Sequence, residues 1–280
     1  MKTVRLPSGE SVPALGMGTW NMGNGGGSRA QRAEEIATLQ LGVSLGLRLI
    51  DTAEMYGEGD SENLIGEAIS GLRDDVFLVS KVYPHNASRR GAIAACERSL
   101  KRLRTDRLDL YLLHWRGDVP LAETLDAFAR LQQDGKIRHF GVSNFDTRDM
   151  QELGALPGGA AVATNQVLYN LMRRGIEWDL LPWCRERRIP LMAYSPIEQA
   201  RLVRNSKLVD FARRHDMTPA QAALGWLLAN DDVMVIPKTA NRNRLRENMR
   251  ALQYPLSTEQ LAELDVLFPP PKGPTPMAML

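Results

Sequence analysis

Cysteine is scarce in this chain: among 280 residues there are two, Cys96 and Cys184. They form no CxxC pair, which argues against a disulfide framework or a thiolate metal site, and both read as reduced, buried thiols of a cytoplasmic protein. Histidine is nearly as rare, with four, and His85, His139 and His215 lack partners at any metal-ligand spacing. No apolar run is long enough to span a bilayer. Nor does a signal-type stretch open the chain, since Lys2 and Arg5 flank only Val4 and Leu6 before Pro7-Ser8-Gly9. An excess of one charge is missing too: 35 Lys and Arg against 33 Asp and Glu leave +2. That excess does not suggest a nucleic-acid binder, although Arg185 to Arg188 and Arg242 to Arg250 are locally rich in arginine and leave room for a phosphate pocket. Helical repeats and low-complexity tracts are absent as well. The expectation is one soluble domain over residues 1–280, long enough for a full barrel core and monomeric or weakly associating.

What the sequence does contain is a recurring form: an apolar run, a polar group at its end, a loop, and a helical pattern. Leu47 to Glu62 shows it most fully. The run Leu47-Arg48-Leu49-Ile50 ends in Asp51, a loop carries Tyr56, and Asp60 and Ser61 stand where caps would precede a helix over Asn63 to Ser70. Val76 to Lys81 and Leu108 to His114 repeat the form. Further strands are expected at Gly16 to Trp20, Ile137 to Val142, Val162 to Gln166, Leu191 to Tyr194 and Val233 to Ile236. Helices alternate with them at Arg32 to Val43, Ser88 to Arg104, Pro120 to Gln133, Thr147 to Leu153, Glu177 to Arg188, Lys207 to Arg214 and Thr218 to Asn230. Eight strand–helix units predict a (β/α)8 TIM barrel of the α/β class. Val4 to Leu15 reads as a β-hairpin closing the barrel bottom. Ser257-Thr258-Glu259-Gln260 reads as a capping box opening an extra C-terminal helix to Leu267. The proline-rich tail after it must run along the surface, in reach of the top face.

In such a barrel the C-terminal strand ends meet on one face, so Asp51, Lys81 and His114 converge there beside Tyr56. Each residue alone has an ordinary reading as a cap, a surface lysine or a core histidine. Three successive strand ends plus a tyrosine make the joint reading catalytic. A lysine ammonium beside a phenol lowers its pKa from about 10, and a buried carboxylate keeps that ammonium charged. The product is a tuned general acid for a carbonyl oxygen gaining charge, with a neutral imidazole as second donor. No acyl-transfer nucleophile is present, so hydride from a nicotinamide is the simplest complement.

The run Gly46 to Ala53 with Tyr56-Gly57, Ser80-Lys81, His114-Trp115 and Gly141-Val142-Ser143-Asn144-Phe145 resembles the aldo-keto reductase family. The likeness extends from Gly16-Met17-Gly18-Thr19-Trp20 to Ile236-Pro237-Lys238 and Glu247-Asn248. More narrowly, Asp51 to Tyr56, Ser80 to Pro84 and Thr164 to Asn170 are similar to bacterial members that reduce methylglyoxal and related small aldehydes. The resemblance implies NADPH-dependent reduction of aldehydes and ketones. It assigns Tyr56, Lys81, Asp51 and His114 to the chemistry. Ser143, Asn144 and Gln166 would hold the nicotinamide amide, Tyr194 would stack on its ring, and Gly18, Thr19, Trp20, Ser195 and Pro196 would add contacts. Lys238, Thr239 and Arg244 offer two cations and a hydroxyl near a helix start, which favours NADPH and its 2′-phosphate over NADH; Glu247 and Asn248 would meet the adenine. Trp20, Met22, Tyr83 and Trp115 are the candidate substrate wall. Two positions depart from the family pattern: Glu198-Gln199-Ala200 replaces a glycine-bearing sequence, and Arg116 stands where a proline often follows His-Trp.

Three rival readings stay open at this level. Gly25-Gly26-Gly27-Ser28-Arg29-Ala30 fits G-x-G-x-x-A, with Asp51 as the acid a Rossmann unit would need, though Asn21 to Asn24 separate it from the preceding strand. Asp51, Glu54 and His114 would serve as ligands of a metal-assisted hydrolase on the same barrel, in which Lys81 would have no role. A barrel that binds NADPH as a redox-responsive partner of another protein is the non-enzymatic alternative. Trp178, Trp183 and Tyr111 read as packing residues.

Overall fold

The computed structural model describes residues 1–24 and 27–280; Gly25 and Gly26, part of the glycine-rich loop and of the rival fingerprint, lie outside the described residues. The chain opens with a hairpin, β1 (Thr3–Arg5) and β2 (Ser11–Pro13), paired antiparallel with Val4 opposite Val12. The barrel follows as β3 (Met17–Gly18), α1 (Arg29–Ser44), β4 (Leu49–Asp51), α2 (Asp60–Ala68), β5 (Phe77–Val82), α3 (Arg89–Leu103), β6 (Leu108–Leu113), α4 (Leu121–Gln133), β7 (Ile137–Ser143), α5 (Thr147–Ala155), β8 (Asn165–Leu168), α6 (Leu180–Glu186), β9 (Leu191–Tyr194), α7 (Ser206–Arg214), α8 (Pro219–Leu228), β10 (Val233–Val235) and α9 (Arg242–Arg250). A last helix, α10 (Thr258–Leu267), precedes the tail, and its Ser257–Gln260 capping box is the expected one.

Strands β3 to β10 form one eight-stranded parallel sheet in chain order. It closes on itself: Val235 N donates to Ala14 O at 2.8 Å, Gly16 N to Val235 O at 2.9 Å and Gly18 N to Pro237 O at 3.1 Å. Closure explains why all six residues of β5 and all six of β6 are buried, since one face meets the barrel interior and the other the helices. The hairpin sits at the N-terminal end of the strands. Glu10 in its turn holds Arg138 at 2.9 Å and His139 at 2.6 Å at the start of β7, and Lys2 reaches Asp231 just before β10 at 2.8 Å. Val4, Leu6 and Val12 cap the core there.

Several local expectations shift. Ser61 is not a cap: α2 begins at Asp60 behind Gly59, without a side-chain cap, and Ser61 Oγ instead donates to Thr19 Oγ1 at 2.9 Å. The strand expected from Val162 starts only at Asn165, because a 3-10 turn over Gly159–Ala161 takes up the chain first. Trp178 is 47% exposed rather than packed, whereas Trp183 packs against the core as expected, under the Arg187 guanidinium at 4.1 Å. Cys96 and Cys184 are free and buried, and burial pushes both thiols up to about 12. No described helix is long and apolar enough to cross a membrane.

Candidate active site

A cavity of about 1020 Å³ opens on the C-terminal face of the barrel. Asp51 ends β4, Lys81 is the fifth residue of β5 and His114 follows β6, so all three stand at the C-terminal end of neighbouring parallel strands; Tyr56 arrives on the loop after β4. That loop needs backbone freedom. Gly57, Glu58 and Gly59 all have positive φ, and a Cβ on Gly59, at φ +95°, would fall 2.4 Å from the Arg102 guanidinium. The left-handed turn brings Tyr56 back over the barrel mouth.

Lys81 is fully buried, and its Nζ donates to three acceptors: Asp51 Oδ2 at 2.8 Å, Thr52 O at 2.8 Å and Tyr56 Oη at 3.2 Å. Three donors are what an ammonium has. Burial pulls the lysine pKa down while Asp51, and more weakly Glu62, holds it up. Asp51 is itself fixed from the other side, where Gln166 Nε2 donates to its Oδ1 at 2.8 Å. Because Oη accepts from Lys81, the phenol proton is free to point into the cavity. The tyrosine differs from expectation in one respect: burial, with the Asp51 charge adding to it, raises its pKa well above 10. In the free protein Tyr56 is therefore a protonated donor held ready, not a phenol already near neutrality.

His114 packs edge-on to Tyr56, with ring centroids 5.9 Å apart. Burial, aided by the nearby Lys81 charge, pushes its pKa down to about 2. The ring is neutral, and its Nδ1 is buried with no hydrogen-bond partner among the described residues.

Every cofactor contact expected from the sequence lines this same cavity, as do Asp51, Tyr56 and His114; Lys81 stands behind them. Ser143, Asn144 and Tyr194 form a connected polar set: Asn144 Nδ2 donates to Ser143 Oγ at 3.1 Å and to His114 O at 3.1 Å, and Tyr194 Oη donates to Asn144 Oδ1 at 3.0 Å. Lys238 stands just past β10, bridged to Gly18, and desolvation lowers its pKa with only Glu35 opposing. A cation at the cavity rim without an ion-pair partner among the described residues suits a phosphate, as does Arg244 on the first turn of α9. The residues present thus fit a phosphorylated dinucleotide.

The substrate wall needs correction. Trp20 and Trp115 line the cavity, but Met22 is fully buried in the core and Tyr83 stands one layer back, edge-on to Trp115 at 5.9 Å. Met55, Asn21, Ile197, Val203 and Arg204 line it without having been singled out, and Met279 and Leu280 of the tail reach it. Adjacency to Tyr56 was the available signal for Met55; the others depend on how loops fold back.

The Aldo/keto reductase family model matches residues 14–268. The chain belongs to the aldo/keto reductase family. It is 50% identical to the methylglyoxal reductase YeaE of Escherichia coli K12, over 100% of this chain and 99% of that protein, and 34% identical to the glyoxal reductase of Bacillus subtilis, over 99% and 97%. Among solved structures, an aldo/keto reductase from Klebsiella pneumoniae crystallised with NADP and acetate superposes with a TM-score of 0.96 at 50% identity, covering 100% of this chain and 99% of that one. Two of the rival readings, the Rossmann unit and the metal-assisted hydrolase, fare poorly against the geometry. The glycine-rich loop does not follow a strand directly, since β3 ends at Gly18 and α1 begins at Arg29. Asp51 and Glu54 are already committed as acceptors, Glu54 Oε1 taking Tyr83 N at 2.8 Å and Asn86 Nδ2 at 3.0 Å. Among the described residues no group of three His, Cys, Asp or Glu is placed to hold a metal.

Proposed function

We propose that this protein reduces aldehydes and ketones to alcohols with NADPH, and that small 2-oxoaldehydes such as methylglyoxal are its preferred substrates. The observation that carries the reading is the buried ammonium of Lys81, shared between Asp51, Thr52 O and the Tyr56 hydroxyl. Bound NADPH supplies the hydride. Tyr56 gives its proton to the carbonyl oxygen as charge develops there, and Lys81 stabilises the phenolate that results. Asp51 keeps Lys81 charged and aimed. His114, neutral at all working pH values, orients the carbonyl with a hydrogen bond and does not compete as an acid. Ser143, Asn144 and Gln166 offer amide and hydroxyl partners for the nicotinamide carboxamide, and Tyr194 offers a ring face. Lys238, Thr239 and Arg244 would take the 2′-phosphate, and Glu247 and Asn248 the adenine.

The substrate preference rests on two supports. The wall beside Tyr56 and His114 consists of Trp20, Met55 and Trp115, uncharged and bulky, which suits a small neutral carbonyl. Two relatives carry methylglyoxal and glyoxal in their names. The test is nicotinamide oxidation with a panel of aldehydes, 2-oxo acids and ketones, using NADPH and NADH, with chelator present. Chelator-insensitive turnover selective for NADPH and for 2-oxoaldehydes is expected. Tight NADPH binding without turnover of any carbonyl would favour the partner-protein reading instead.

A further inference from the structure

The segment after β9 crosses the cavity in an unusual conformation. Glu198, Gln199 and Ala200 form a left-handed turn, with φ of +49°, +50° and +68°, and Ser195 before them is at +46°. None is a glycine, so the backbone does not adopt this path by its own preference. Something must hold it, and the structure shows what. Glu198 is 1% exposed and faces away from the cavity. Its Oε2 accepts from Asn170 Nδ2 at 2.8 Å, and its Oε1 accepts from Arg173 Nε at 2.8 Å. The same Asn170 amide donates to Ser195 O at 2.9 Å, so one side chain after β8 pins both the approach to the turn and its first residue. Leu202, fully buried, anchors the far side.

The segment's other face is turned to the cavity. Gln199, Ala200, Val203 and Arg204 all line it, and Arg204 is the one charged side chain the segment brings there. A buried carboxylate that touches nothing in the cavity therefore sets where a cavity arginine stands. We propose that Glu198 is a positioning residue for the cofactor: clamped by Asn170 and Arg173, it fixes segment 195–204 so that Arg204 meets the phosphates of the bound dinucleotide. This rests on the NADPH reading above and adds to it a third cation besides Lys238 and Arg244. It also accounts for a turn without glycine where the family commonly has one. The conformation that glycine would permit is here imposed by a charged clamp.

The test is a double-mutant cycle on NADPH binding, read by nicotinamide fluorescence and by the rate of NADPH release, with wild type, Glu198→Gln, Arg204→Ala and the double variant. Each single variant is expected to raise the NADPH Kd about tenfold, mainly through faster release, as for loss of a charge-assisted contact. The double variant is expected to bind within threefold of the weaker single, because Glu198 acts through Arg204. A purely structural role would lower the melting temperature and leave NADPH affinity alone. Glu198→Gln within twofold of wild type, or a double variant more than threefold beyond the weaker single, overturns the proposal. Should Glu198→Gln fail to fold, Arg173→Gln opens the clamp from its more exposed side and takes its place under the same criteria. A wild-type protein that does not bind NADPH would instead overturn the reductase reading itself.

Discussion

Replacing Lys81 by methionine separates the two tasks assigned to its ammonium. Nζ lies 3.2 Å from Tyr56 Oη. With an effective dielectric of about 20, a unit charge at that distance stabilises a full phenolate by about 5 kcal/mol. A transition state with the proton about half transferred feels about half of this, or roughly 10²-fold in rate. The substitution also strands Asp51, which is 2% exposed and, among the described residues, keeps only Gln166 as side-chain donor. Breaking a buried pair in this way costs about 3–5 kcal/mol of stability. The effects come apart in the double variant Lys81→Met with Asp51→Asn, where no charge remains buried. Single-turnover hydride transfer at saturating NADPH should stay about 10²-fold down in both variants, while urea unfolding should show most of the lost stability restored in the double. If the rate recovered together with stability, Lys81 would be a structural lysine and the account of Tyr56 acidity would be wrong.

Three further expectations follow from the same geometry. His114 binds its proton only near pH 2 in the folded protein but near 6.5 when unfolded. The unfolded state thus takes up the proton first as pH falls, and this group's contribution to stability should drop by up to about 1.4 kcal/mol per pH unit between about pH 6 and pH 3. His114→Gln should flatten that slope in urea titrations; an unchanged slope would place its origin elsewhere. Reduction needs Tyr56 protonated, and its pKa is raised, so the single-turnover reduction rate should stay level between about pH 6 and 9, with no histidine limb. Lys238→Ala with Arg244→Ala should weaken NADPH by roughly 10²-fold and NADH much less, measured by fluorescence titration; equal losses would remove the phosphate assignment.

Much of this was legible because the barrel turns position in sequence into position in space. Asp51, Lys81 and His114 stand at the ends of successive apolar runs, and parallel strands in register must bring such ends together. The same logic carried Ser143, Gln166, Tyr194 and Lys238 to the cavity. What escaped depends on things a sequence pattern does not carry. Met22 stands on a top-face loop beside the catalytic positions, which made it a candidate pocket residue, but the chain turns at Thr19, whose carbonyl accepts from Met22 N at 2.9 Å, and the side chain is buried. Tyr83 lies behind Trp115 because Glu54 holds its backbone N–H and draws the loop inward. The left-handed turn at 198–200 has no glycine to announce it; it exists because Asn170 and Arg173, distant in sequence, hold Glu198. The raised pKa of Tyr56 follows from how deep the hydroxyl lies, which charge pairing alone does not reveal.

The most direct test of the central claim is single-turnover transfer of hydride from NADPH to methylglyoxal by the wild-type protein and by Tyr56→Phe, with NADPH affinity measured on both. The substitution removes only the hydroxyl that Lys81 addresses, so NADPH affinity should change by less than about twofold and the transfer rate should fall by roughly 10²–10⁴-fold. A Tyr56→Phe protein that transferred hydride at near the wild-type rate would show that the proton comes from elsewhere and would contradict the account.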